Sequence, residues 1–206
     1  MGQLPELLTP RLCLRPFVEA DAPDVERLAS AREVAAGTLT VPHPYPKGAA
    51  VPWIASHAER YAAGTGAVFA IVAREGASPA GAENDAAAAG GGLRGAIGLE
   101  LALDHARAEL GYWIGTEYWG QGLATEAGHA VLRFGFEELG LQRIHASFFA
   151  HNPRSGRVLE KLGMTREGRL RSHYRKWEEF VDSVFMGILR EEYSPSASNE
   201  APEVTS

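Results

Sequence analysis

The sequence predicts a mixed α/β layer in which helices pack on a largely antiparallel sheet. Three observations point there. Periods of two and of 3.6 residues both recur along the 206-residue chain. Their order reads strand, two helices, three strands, helix, strand, helix, two strands. That order sets strand beside strand with no helix between, unlike the regular alternation of a doubly wound dinucleotide fold.

The first strand is the alternating Arg11-Leu12-Cys13-Leu14-Arg15. Asp21 suits the cap of a first helix, Pro23 suits its first turn, and Val25, Leu28 and Ala29 mark the apolar face. The three prolines of Val41–Pro46 force an extended loop. Trp53, Ile54, His57, Ala58 and Tyr61 then repeat at helical spacing. The apolar run Ala67–Ala73 reads as a central buried strand. Residues 76–92, rich in glycine, alanine and small polar residues, read as a flexible insertion.

Arg94–Leu103 and Ala108–Ile114 read as an antiparallel pair turning near Asp104-His105. Gly122–Leu139 reads as a helix with Leu123, Ala127, Ala130, Val131 and Phe134 inward, stopped by Gly140. Arg143–Ala150 reads as a strand with Ile144, Ala146 and Phe148 on one side. A short helix follows from Asn152 to Leu162, with Asn152 at the N-cap, Pro153 at N1 and Gly163 past the end. Met164–Leu170 and Phe180–Leu189 complete the strands, and the tail 194–206 lacks apolar periodicity and is expected to be disordered.

Composition narrows the function classes. With 45 % apolar and 22 % charged residues, the chain is expected to form one domain over 1–193 whose core needs neither disulfide nor metal. The single cysteine, Cys13, excludes an internal disulfide, fits a reducing compartment and reads as an inert packed thiol. Seven histidines form no zinc-type pair, so no metal is expected. No run of about 18 apolar residues and no basic-then-apolar leader are found, so a cytoplasmic protein with no membrane partner is expected. A net charge of −6 without a Lys/Arg block argues against nucleic acid. Monomer and homodimer both stay open.

The chemistry concentrates in Glu109–Ala127. A strand ends at Ile114-Gly115, and Gly120-Gln121-Gly122 leads directly into a helix. Glycines there let a ligand approach the backbone, and the first N–H groups and positive dipole end of the helix suit a pyrophosphate. The spacing alone leaves open a glycine-rich helix entry with no ligand. It does not fit a P-loop, and Thr125 stands where a dinucleotide fingerprint needs its third glycine.

This segment resembles the acetyl-CoA-binding motif of the GNAT superfamily of N-acetyltransferases, Arg/Gln-x-x-Gly-x-Gly/Ala. Gly122 and Ala124 match its last two defined positions, and Trp119 stands where Arg or Gln is usual. The longer string YWGQGLATEA is similar to the subfamily of ribosomal-protein N-terminal alanine and serine acetyltransferases. TPRLCLRPF, ELGYWIG, HNPRSGRVLEKLGM, EGRLR and FVDSVFMGIL extend the resemblance, in order, over most of the chain.

The resemblance implies a GNAT-like fold and acetyl-CoA as co-substrate, with no metal. The acceptor is then an amine, either a protein N-terminus or a small molecule such as an antibiotic or polyamine. It implies that backbone amides of Gly120, Gln121, Gly122, Leu123, Ala124 and Thr125 hold the pyrophosphate. Backbone groups of Trp113 and Ile114 would pair with the pantetheine arm as an added strand does. Asn152 would bond the pantetheine or acetyl end, a role compatible with capping its helix. An attacking amine, with an ordinary pKa of about 8–10, must lose a proton, the oxyanion needs a donor, and the CoA thiolate benefits from an acid. Glu109, where several members carry a catalytic Glu, is implied as the base, with Glu100 on the neighbouring strand behind it. A surface carboxylate at a strand end stays open beside that role. Ser155, in an Asn-x-x-Ser pattern, is implied as the thiolate's acid or a relay through water; a plain polar residue in a helix's first turn is its alternative. The tyrosine that some relatives use on this helix is replaced by Leu159. His43, Tyr45, Trp53 and Tyr174 are candidate pocket residues. The reading of another class is a non-enzymatic acyl-CoA-binding regulator.

Overall fold

A computed structural model describes residues 2–74 and 92–194, so the expected insertion and tail lie outside the described residues except at Gly92 and Ser194. The elements are β1 (Leu7–Leu8), β2 (Leu12–Pro16), α1 (Ala22–Ala29), α2 (Arg32–Ala36), α3 (Ala50–Ala62), β3 (Gly66–Ala73), β4 (Leu93–Ala102), β5 (Arg107–Ile114), α4 (Leu123–Arg133), β6 (Arg143–Phe149), α5 (Pro153–Lys161), β7 (Thr165–Lys176) and β8 (Glu179–Leu189). One eight-stranded sheet results, in the order β1-β2-β3-β4-β5-β6-β8-β7. Every neighbouring pair is antiparallel except β5–β6. The expected mixed α/β, largely antiparallel architecture is what the chain forms.

Both faces of the sheet are covered. β3 shows why its run is apolar throughout: Ala67, Phe69 and Ile71 join the core that includes Leu123, Val131 and Phe134, whereas Ala70 and Val72 join Val25, Leu28 and Ile54 on the other side. On α3 the inward set is Ala50, Ile54, His57 and Tyr61, at a 3.6-residue period; Ala58, expected inward, is exposed.

Several boundaries differ from the sequence reading. β1 and α2 were too short to carry a period, with two and five residues. α4 continues as a π-helical turn over Phe134–Glu138 before Gly140. β7 reaches Lys176 because it pairs with β8 from Gly187 back to Glu179, through register shifts after Arg166 and Leu170 that its charged sequence conceals. Asp21 stands at the N-cap of α1, but its side chain makes no capping hydrogen bond there. Its carboxylate accepts two bonds from the Arg15 guanidinium, each 2.8 Å, and one from the Val18 N–H at 2.9 Å.

The parallel pair positions the site. A parallel connection needs a crossover, and α4 supplies it. β5 and β6 pair only at Arg107↔Arg143, Ala108↔Ile144 and Glu109↔His145. Beyond that point β5 stays on β4 through Ile114, while β6 stays on β8 through Phe149. The sheet therefore forks at Glu109, toward the carboxyl ends of the two parallel strands.

Candidate active site

The fork opens into a cleft of ≈ 400 Å³. Glu109, Gly111, Tyr112 and Trp113 line it from β5, Ser147 and Phe149 from β6, and Ser155 from α5. One carboxylate marks the crotch. Glu109 accepts a hydrogen bond from Ser147 Oγ at 3.3 Å, and its other oxygen lies 3.8 Å from His145 Nε2. Burial lowers the His145 pKa below its ordinary 6.5, with the Glu109 charge acting in the opposite direction, so the imidazole is neutral at pH 7. Neither His145 nor Ser147 was singled out in the sequence. The signal was their alternation with Ile144 and Ala146, which turns them to the face of Glu109.

Glu100 lies directly across from Glu109 in the β4–β5 ladder. Two carboxylates so placed repel. Arg60, from α3, bonds the Glu100 carboxylate and relieves this. Glu100 is therefore an ion-paired wall of the cleft rather than a free acceptor of protons.

Past the end of β5, Gly120 and Gly122 take φ of +78° and +77°. Gly122 is the N-cap of α4, with no side chain capping it, so donors of the first turn stay unanswered by a cap. The helix carboxylate nearest this end, Glu126, is turned aside: Thr9 Oγ, the Arg11 N–H and Arg11 Nε all donate to it. Arg11 also donates to the Gln121 carbonyl at 3.0 Å, bracing the loop. Trp119, standing where the motif usually has Arg or Gln, donates its indole N–H to the Ile114 carbonyl at 2.7 Å. One lone pair of that carbonyl is thus already used, at a residue expected to face pantetheine.

Across the fork, Asn152 caps α5: its side-chain oxygen accepts the Ser155 N–H at 3.4 Å, and its amide reaches the Gly37 carbonyl at 3.5 Å. Gly156 lets α5 lie directly on Phe148, since a Cβ there would stand 2.8 Å from the ring. That approach sets Ser155 Oγ 2.8 Å from the Tyr112 hydroxyl. Tyr112 was missed in the sequence because its residue type, within an alternating strand, reads as packing. Burial pushes its pKa up to about 12, against the opposing effect of the Ser155 hydrogen bond. Leu159 is fully buried in the core.

The outer wall of the cleft includes Thr38, Leu39 and Val41, with Trp53 and Tyr174 as expected from the sequence. Lys176, 9 % exposed, donates to the carbonyls of Leu39 and Val41 at 3.3 and 3.1 Å and ties this segment to the β7–β8 hairpin. His43 and Tyr45, the other expected pocket residues, are not in the lining: His43 is exposed near Trp177, and Tyr45 packs on the α1–α3 core. The pKa of the Cys13 thiol is raised by burial and then by the Glu6 charge, which favours its protonated form. Among the described residues no helix is long and apolar enough to cross a membrane.

Comparison with known proteins meets this geometry. Residues 11–165 match the family model described as the acetyltransferase (GNAT) domain. The uncharacterized N-acetyltransferase YoaA of Bacillus subtilis (strain 168) is 42 % identical over 95 residues, 45 % of this chain and 54 % of that protein. The ribosomal protein uS5-alanine N-acetyltransferase of Escherichia coli (strain K12) is 33 % identical over 86 residues, 42 % of this chain and 44 % of that one. The chain thus spans about half the length of the curated relatives it matches. The structure of spermidine N-acetyltransferase from Vibrio cholerae, in complex with CoA and spermine, superposes with a TM-score of 0.71 at 20 % identity, covering 88 % of this chain and 96 % of that one, a likeness of fold. Because the family model takes in everything from the second strand to the start of the seventh, including the fork and the glycine loop, the chain belongs to the GNAT acetyltransferase family.

Proposed function

We propose that this chain transfers the acetyl group of acetyl-CoA to a primary amine by direct attack within a ternary complex. The observation that carries the proposal is the fork between β5 and β6, with an uncapped helix start near one end and a carboxylate at the other. The fork is open where a pantetheine arm would add beside β5, presenting the backbone of Trp113 and Ile114. Its length separates an anion site at Gly120–Thr125 from the carboxylate of Glu109, which is where a phosphorylated thioester and a protonated amine belong. Glu109 would take the proton from the amine, directly or through water, with Ser155 on the leaving-group side. Strand edge donors after Glu109 would face the oxyanion.

The charge of the cleft favours an acceptor with one positive group. Arg60 answers Glu100, so Glu109 is the acidic lining residue without an Arg or Lys partner among those described. A polyamine would bring further ammonium groups, and among the described lining residues the remaining carboxylate, Glu100, is already paired with Arg60. An α-amine at a peptide N-terminus brings a single ammonium group, and Trp53, Leu39, Val41 and Tyr174 offer surface for the side chains that follow. The uS5-alanine acetyltransferase among the relatives lends this acceptor support.

The test has two stages. Acetyl-CoA at about 100 times its Kd should stabilise the fold by about 2.7 kcal/mol, read as a thermal shift. Free-thiol release should then be followed with Ala- and Ser-ended peptides, simple monoamines and spermidine. No shift with acetyl-CoA would sink the enzyme reading. Binding without thiol release from any amine would favour a non-enzymatic acyl-CoA-binding regulator. A preference for spermidine would overturn the single-charge acceptor.

A further inference from the structure

The leaving group of this reaction is a thiolate, and two hydroxyls meet beside the fork where it would depart. Tyr112 projects from the stretch of β5 that has left β6, and Ser155 from the first turn of α5. Their oxygens are 2.8 Å apart, and both residues line the cleft. Tyr112 Oη also lies 3.3 Å from the Ser155 carbonyl.

The acidities of the groups decide which hydroxyl supplies a proton. A free thiol has a pKa of about 8.5 and burial takes the Tyr112 phenol up to about 12, whereas an aliphatic hydroxyl is a weaker acid still. Serine alone would be left as an alkoxide, the costliest product available. A phenol in contact with it offers a cheaper one. The helix position where some relatives carry a tyrosine holds Leu159 here, and its side chain is buried in the core. The fold brings a phenol to the Ser155 hydroxyl from strand β5 instead.

We propose that Tyr112 is the proton source for the departing CoA thiolate and acts through the Ser155 hydroxyl. The assignment rests on the acetyl-transfer function set out above. As the tetrahedral intermediate collapses, the carbon–sulfur bond breaks and its electron pair goes to sulfur. The Ser155 Oγ–H proton moves to sulfur and forms the thiol, while the Tyr112 Oη–H proton moves to Ser155 Oγ. The tyrosinate that remains is restored by the proton that the amine nitrogen gives up, passed from Glu109 through solvent in the open cleft. One proton has then travelled from nitrogen to sulfur, and every protein group is back in its starting form. Burial raises the phenol above its ordinary range, which keeps Tyr112 protonated between turnovers and opposes its ionisation as the thiolate leaves, while the Ser155 hydrogen bond acts in the opposite direction and favours that ionisation. Tyr112 is in this sense a positioning residue and reservoir behind Ser155.

The test removes one oxygen. Tyr112→Phe keeps the ring that packs against the core and deletes the hydroxyl. With acetyl-CoA, kcat should fall by about 10²-fold while the KM for acetyl-CoA stays near wild type. Ser155→Ala should lose a similar factor, and the double variant should be little slower than either single one, because both act in one step. With an aryl thioacetate, whose thiolate leaves without a proton, each variant should match wild type. A packing role alone would not make the loss depend on the leaving thiol. Tyr112→Phe with wild-type kcat, equal losses on both thioesters, or losses that multiply in the double variant would each overturn the assignment. Those outcomes leave the acetyltransferase function standing; a wild-type protein that gives no thermal shift with acetyl-CoA would remove both.

Discussion

The left-handed glycine at the start of α4 offers a prediction whose size follows from the structure. Gly122 has φ +77°, and Gly140, past the far end of the same helical segment, has φ +67°. A Cβ at Gly122 would meet only Arg11 Nη2 at 3.6 Å, an ordinary contact, and one at Gly140 would meet nothing within 4 Å. Neither Gly→Ala change therefore creates a clash, and each costs only the left-handed conformation, about 1–2 kcal/mol. For a domain of this size that lowers Tm by about 2–8 °C. The two variants should part company on CoA. If the loop carries the pyrophosphate, a methyl group at Gly122 displaces it from at least one charge-assisted hydrogen bond, worth about 1.5–3 kcal/mol. That is a loss of roughly 10- to 150-fold in affinity. Gly140→Ala, equally strained and far from the fork, should bind CoA as wild type does. Calorimetric titration with CoA and thermal melts of both variants make the comparison. Equal Kd values for the two variants, at equal destabilisation, would show that this loop does not hold the phosphates.

Two further outcomes are expected. Glu109→Gln keeps the shape of the crotch and its contact with Ser147 but cannot accept a proton, so kcat should drop about 10²–10⁴-fold with acetyl-CoA affinity nearly unchanged, and higher pH should restore part of it; a variant with wild-type kcat across the pH range would remove Glu109 from the mechanism. His57 is buried with both ring nitrogens unpaired among Phe17 and Trp53, and burial, then the Arg60 charge, lowers its pKa to about 4 from an ordinary 6.5. Between those two values the unfolded chain binds the proton and the folded one does not, so stability is whole above pH 6.5 and falls by up to about 3 kcal/mol as pH drops toward 4. His57→Leu should flatten that stretch of the urea-midpoint-against-pH curve without destabilising the protein at pH 7; an unchanged slope would place the acid sensitivity elsewhere.

The sequence by itself determined the layer architecture, because covering an apolar face leaves a period that needs no partner to be read. β3 is apolar on both faces and is covered on both, and α5 has its Asn152 cap, Pro153 and Gly163 where local backbone chemistry requires them. It also made the glycine loop legible as a local turn signal, and it was the family resemblance that pointed to Glu109 on the strand leading into that loop. What it did not hold was anything that depends on two distant segments meeting. Glu100 looks as free as Glu109 until α3 brings Arg60 to it. Tyr112 reads as one more inward residue of an alternating strand, and becomes chemical only because β5 parts from β6 after three pairs and Gly156 lets α5 close on Phe148. Backbone and burial preferences are carried by neighbours a few residues away and survive in the order of the chain, whereas a proton's path is set by distances of about 3 Å between side chains that only the packed sheet brings together.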